Sequence, residues 1–152
     1  MKVYIDADAS PVQQEVIQIT EQYSLSVVLV KSFSHFSNAS LPPHVTVQYV
    51  DKGAEMADFK IMSMVDKEDI IITQDYGLAS MLLGKGCYVI HHKGFQYTEH
   101  NIDRLLSSRH ASAQARRAGY RTKGPKAFTD EDRKKFTDAF QNLLKSVLQK
   151  SK

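Results

Sequence analysis

The stretch VYIDADASPV at residues 3–12 passes abruptly from apolar to acidic and then to a helix-starting pair. Val3, Tyr4 and Ile5 read as a buried strand, with Asp6 at its carboxyl end and Asp8 just beyond. Ser10 is placed to act as an N-cap, Pro11 to take the first helical position, and Gln13 stands at capping-box spacing. The same order returns in DIIITQDYGLA at residues 69–79, where Asp75 follows Ile70, Ile71, Ile72 and Thr73 and precedes a helical pattern. Alternating strands and helices are the mark of a parallel sheet covered by helices. In open sheets of this kind ligands bind beyond the carboxyl ends of the strands, which is where both acidic segments fall.

Working outward, apolar runs at 26–31, 45–50 and 87–91 supply further strands, and helices are expected from 11 to about 23, from about 54 to 65 and over 76–85. Thr98 is placed to cap a long helix starting at Glu99, and Thr129 to cap a last helix with the apolar stripe Phe136, Phe140, Leu143, Leu144 and Val147. Residues 32–43 form a polar loop, and 119–125 a break. Right-handed crossovers and short connections predict the strand order 3-2-1-4-5. The expected fold is therefore a single α/β domain over residues 1–152, a three-layer α/β/α sandwich with a mostly parallel sheet of about five strands. A basic helical extension runs from about residue 99 to 152.

Composition narrows the class. The chain has 152 residues, 42% of them hydrophobic and 24% charged, which suits one soluble domain with a sizeable core. It has no charged leader before an apolar segment and no apolar run near the roughly 20 residues needed to cross a bilayer, so a cytoplasmic location is expected. The single cysteine, Cys87, excludes an internal disulfide and reads as a buried strand thiol. The net charge of +3 conceals a division: residues 1–100 carry 7 Lys and Arg against 12 Asp and Glu, and residues 101–152 carry 13 against 5. Arg104, Arg109, Arg116, Arg117, Arg121, Lys123 and Lys126 follow one another with no intervening acid. Such a run is either a solvated face or a phosphate-binding surface.

Asp6, Asp8 and Asp75 are expected to flank the crevice between the first and fourth strands, and Asp58, one turn into its helix, to complete a carboxylate cluster. Taken singly, each acid reads as a cap, a turn or a solvated residue; together they repel one another unless a cation intervenes. Oxygen-only donors suit Mg²⁺ or Mn²⁺, which keep several waters and share carboxylates with substrate phosphates. That chemistry points to phosphodiester hydrolysis. The six histidines invite a zinc reading, but no pair has the spacing of a zinc protease helix and Cys87 stands alone. His91 and His92 read as strand-end residues.

The motifs go further. IDADASPV at 5–12, GAEMAD at 53–58, DIIITQDYGLA at 69–79, KG at 85–86, YTEHNI at 97–102, GP at 124–125 and DR at 132–133 resemble the YaiI/YqxD family of bacterial proteins, over nearly the whole chain. That family is similar in turn to the PIN-like (PilT N-terminus) nucleases, metal-dependent ribonucleases with an acid after the first strand, an acid in a helical A-D-x-x-I segment and a T-x-D after the fourth strand. The resemblance assigns those places to Asp6, to Asp58 within Ala57-Asp58-Phe59-Lys60-Ile61, and to Asp75 after Thr73-Gln74. In two respects the chain departs from the pattern. Ser10 stands where the family motif has cysteine, which leaves N-capping as its role, and the additional helical glutamate of PIN nucleases has Glu55 as its nearest counterpart, with Asp51 a weaker one.

A metal-dependent nuclease, acting on RNA rather than DNA, is thus the first expectation, with Asp6, Asp8, Asp58 and Asp75 as catalytic and metal-binding residues and Glu55 as a possible additional acid. RNA is expected to meet Arg116, Arg117, Arg121 and Lys123, with Tyr120 available for base stacking. Two other classes remain open. D-A-D also opens the phosphatase motif of haloacid-dehalogenase-like enzymes, but the dense acid group Asp66-Lys67-Glu68-Asp69 precedes the fourth strand and so falls at the wrong edge. The other is a non-catalytic RNA-binding or protein-interaction module.

Overall fold

The computed structural model describes residues 1–53, 55–119 and 127–150. Its six-stranded sheet has the order β3-β2-β1-β4-β5-β6. The strands are β1 (Lys2–Asp6), β2 (Ser26–Ser32), β3 (Val45–Val50), β4 (Ile70–Ile72), β5 (Tyr88–Ile90) and β6 (Gln96–Tyr97). β1 to β5 are mutually parallel, as expected, and β6 joins β5 in antiparallel register. This sixth strand is not foreseen in the sequence, because two residues are too few to show a period.

The central strands are apolar on both faces, as buried parallel strands must be. Val3 and Ile5 of β1 face one core together with Ile70 and Ile72 of β4, while Tyr4 and Ile71 face the other. Helices α1 (Gln13–Gln22) and α5 (Asp130–Lys150) cover the first side. Helices α2 (Met56–Met64), α3 (Tyr76–Gly84) and α4 (Ile102–Arg117) cover the second. The C-terminal helix is part of the core: Phe136 and Phe140 are wholly buried and stack at 5.5 Å, a burial worth about 1.5–3 kcal/mol for each ring. Thr129 caps α5 as expected, its Oγ1 accepting from the Asp132 amide at 3.0 Å while the Asp132 carboxylate accepts from the Thr129 amide at 3.1 Å.

Two helix starts differ from expectation. Helix α1 begins at Gln13 and not at Pro11, and its N-cap position, Val12, offers no side-chain bond. Ser10 is therefore not the cap: its Oγ is buried with no hydrogen-bond partner, because the two intervening residues carry it out of reach of the first helical amides. The Gln13 side chain ties down the turn instead, donating to the Ala7 and Ser10 carbonyls at 2.9 and 3.3 Å. Helix α4 begins at Ile102 and not at Glu99, although Thr98 and Asn101 exchange capping-box bonds just before it. Helix α2 begins at Met56; Ala54 lies outside the described residues.

Between β5 and β6 the chain reverses at His91–Phe95, closed by His91 N–H to Phe95 O and Gly94 N–H to His91 O, both 2.9 Å. Gly94 has φ +98°, and a Cβ there would meet the Lys135 backbone of α5 at 2.9 Å. Only glycine satisfies both the conformation and the approach. The close approach thereby holds the reversal that carries His91, His92 and Lys93 against the first turns of α5 at Gly94.

Candidate active site

The sheet reverses its direction of growth between β1 and β4, and the carboxyl ends of those two strands carry Asp6 and Thr73. Thr73 Oγ1 donates to Asp6 Oδ2 at 3.0 Å and accepts from the Asp75 amide at 3.0 Å, so one hydroxyl fixes both acidic segments. Asp75 caps α3, its Oδ1 accepting from the Leu78 amide at 3.0 Å. The same oxygen lies 3.5 Å from Arg109 Nη1 of α4.

Burial raises the pKa of Asp6; Thr73 works against that shift, and the charges of Asp75 and Asp8 add to it. Asp58, in the first turn of α2, is pushed up to about 6, by burial first and then by Asp75, Asp6 and Glu55, with Arg109 opposing. The charges of Asp6, Asp58 and Asp75 thus bear on one another at this edge, and among the described residues Arg109 opposes them. Glu55 sits at the N-cap of α2, exposed, and reaches the group only through its charge on Asp58.

Asp8 takes a different position from the one that strand alternation predicts. β1 ends at Asp6, so the alternation stops before Asp8, whose two carboxylate oxygens accept from the Ser32 amide at 3.0 and 3.1 Å. His35 Nδ1 lies 2.9 Å from Asp8 Oδ1. Among the described residues, no three or more His, Cys, Asp or Glu side chains stand close enough together to form a metal site. The acid group at the start of β4 lies at the opposite, amino edge: Asp69 accepts from the Lys2 and Asp66 amides at 2.9 and 2.8 Å. Its work is structural.

Beside Asp75 the surface opens into a cleft of about 630 Å³. One wall is a face of α4 bearing Arg109, Ser112 and Arg116, at helical spacings of three and four. The other holds Tyr76, His91, His92, Lys93 and Phe95, with Phe128 at one side. Arg109 belongs here although the sequence places it only in the basic run. The signal was available, since Arg109 lies one turn beyond Leu105, which packs on the core. Arg116 lines the cleft, whereas Arg117, one residue on, is exposed and does not. Tyr120, Arg121 and Lys123 lie outside the described residues. Cys87 is buried, as expected, and its thiol is pushed up to about 11 by that burial.

Similar proteins are abundant among bacteria. A UPF0178 protein of Oceanobacillus iheyensis is 57% identical over 144 residues, covering 95% of this chain and 99% of its own length. A UPF0178 protein of Bacillus thuringiensis subsp. konkukian is 54% identical with the same coverage. No solved structure matches significantly. The family model described as "Uncharacterized BCR, YaiI/YqxD family" matches residues 4–146. The chain therefore belongs to the YaiI/YqxD family.

Proposed function

We propose that the chain is a metal-dependent nuclease that hydrolyses phosphodiester bonds of RNA. The observation that carries this reading is the repelling group of Asp6, Asp58 and Asp75 at the point where the sheet changes its direction of growth, with a basic wall beside it. The three acids offer only oxygen donors, two of them have raised pKa values, and Arg109 alone is a weak counterweight at 3.5 Å and more than half exposed. Oxygen donors of this kind suit Mg²⁺ or Mn²⁺, which take one or two carboxylates and keep several waters, so the ion does not require all three acids in one closed cluster. A bound ion of that kind supplies a water of lowered pKa and positive charge opposite the developing negative charge of the phosphate.

The chain's own residues do the rest. Thr73 orients Asp6 and the Asp75 backbone, and the β1–β4 pairing sets their separation. Arg109 and Arg116 draw the phosphate backbone toward Asp75 by charge. Asp8, engaged with Ser32 and His35, is a fourth acid of the same edge and braces the loop after β2. Glu55 tunes Asp58 by its charge. The test is to incubate a short single-stranded RNA and, separately, a phosphomonoester with the purified chain and Mn²⁺. Cleavage of the RNA alone, abolished by Asp75→Asn and by chelation, is expected. Hydrolysis of the monoester alone would replace the nuclease with a phosphatase, and inertness toward both with a binding module.

A further inference from the structure

The cleft next to Asp75 differs in chemistry from the acid group it adjoins. None of its described lining residues is acidic, while Lys93, Arg109 and Arg116 are cationic. Its inner side is a chain of rings in mutual contact: His91 stacks on Phe95 at 4.5 Å and 16°, lies 6.4 Å from Tyr76 and 4.4 Å from His92, and His92 meets Phe128 edge-on at 5.6 Å. Such a wall offers flat polarisable surface, and Arg109 and Arg116 of α4 line the same cleft.

His91 adds a directional group. Burial, with the charges of His92 and Lys93, brings its pKa down to about 4, so its ring is neutral at pH 7. Its Nδ1 accepts from the Lys93 amide at 3.0 Å, which leaves the proton on Nε2 as a donor. The wall also holds the uncharged polar side chains of Gln74, Ser108 and Ser112. Guanidinium groups for phosphate, ring faces for a flat heterocycle and neutral donors and acceptors for its edge together describe a nucleotide. The volume of about 630 Å³ lies within the usual range for small-ligand sites, about 300–1,000 Å³.

We propose that the cleft bounded by Tyr76, His91, Phe95, Arg109, Arg116 and Phe128 binds one nucleotide of a single RNA strand, with the base against the ring wall and the phosphate on the α4 arginines. This deepens the nuclease reading and rests on it for the choice of RNA. Gln74, Tyr76 and Arg109 border both this cleft and the smaller cavity of about 330 Å³ at Asp75, so a strand seated by one nucleotide presents its neighbouring phosphate to the acids. A base held in a duplex cannot enter. The site therefore selects unpaired strands.

The test titrates AMP, UMP, adenosine, inorganic phosphate and a pentaribonucleotide into the full chain without added metal, following the ring signals of His91 and His92 by NMR. AMP, UMP and the pentaribonucleotide are expected to shift both rings, and adenosine and inorganic phosphate to bind at least about tenfold more weakly, since each lacks half of the recognition. Arg116→Ala, on the exposed face of α4, should weaken AMP roughly tenfold or more, and Phe95→Leu should weaken it while sparing inorganic phosphate. Unmoved ring signals, equal binding by Arg116→Ala, or phosphate binding as tightly as AMP would overturn the proposal. AMP binding with no binding of the pentaribonucleotide would overturn it too, in favour of a free nucleotide. Assaying RNA cleavage by the parent chain with Mn²⁺ beside the AMP titration separates the two readings: nucleotide binding without RNA cleavage sinks only the nuclease, and cleavage without ring shifts sinks only the nucleotide site.

Discussion

Thr73 donates its hydroxyl proton to Asp6 across the β1–β4 boundary at 3.0 Å, and the same oxygen receives the Asp75 amide. Replacing it with an isosteric methyl removes both bonds and leaves the Asp75 amide without its acceptor. Thr73→Val is expected to cost about 1–3 kcal/mol in urea unfolding at neutral pH, and Thr73→Ser far less. Equal stability of Thr73→Val and the parent would show that the hydroxyl does not hold the two acids.

Asp58 makes stability depend on pH with a defined sign. Its ordinary value of 3.8 is pushed up to about 6 in the folded chain, so between those limits the folded state holds a proton that the unfolded state has lost. Stability from this group is full below about pH 4 and is lost as pH rises through about 6. In chelator, Asp58→Asn should exceed the parent by on the order of 1 kcal/mol at neutral pH, after allowance for its partial exposure, and show no advantage in acid. Denaturation series at the two pH values check this; an advantage that is the same at both would contradict it.

Ser10 and Gln13 reverse the roles that their spacing implies. Ser10→Ala removes a buried hydroxyl without a partner and is expected to leave stability unchanged or to raise it by up to about 1 kcal/mol. Gln13→Ala removes the side chain that bonds to the Ala7 and Ser10 carbonyls and should cost about 1 kcal/mol. Thermal unfolding of the two variants distinguishes this assignment from N-capping by Ser10, which would give the opposite order.

Gly94 joins the β5–β6 reversal to α5. Gly94→Ala combines a positive φ with a Cβ 2.9 Å from the Lys135 backbone, and a loss of about 1–3 kcal/mol is expected. The ring signals of His91 and His92 should move in the folded variant, because the reversal that carries them must shift. A variant as stable as the parent, with those signals in place, would show that the close approach is absent.

The strand order and the strands themselves were legible because buried parallel strands are continuous apolar runs, and β1, β3 and β4 are each followed by a helix with a readable stripe or cap. β6 escaped because it is short, and the start of α1 because Ser10, Pro11 and Gln13 satisfy a capping pattern that Val12 displaces. Asp6 and Asp75 could be placed from the sequence because one ends β1 and the other closely follows its neighbour β4. Asp8 could not, since its partners at Ser32 and His35 belong to β2 and the loop after it. The aromatic wall was hidden for the same reason: Tyr76, the His91–Phe95 reversal and Phe128 come from three separate segments of the chain, and no local period joins them.

Calorimetric titration of Mn²⁺ into the parent, Asp6→Asn and Asp75→Asn tests the carboxylate group most directly. Saturable binding by the parent and at least about tenfold weaker binding by each variant are expected, because each variant loses a charged oxygen donor from a group whose repulsion the ion relieves. Folded variants that bind Mn²⁺ as tightly as the parent, or a parent that binds none, would contradict that expectation.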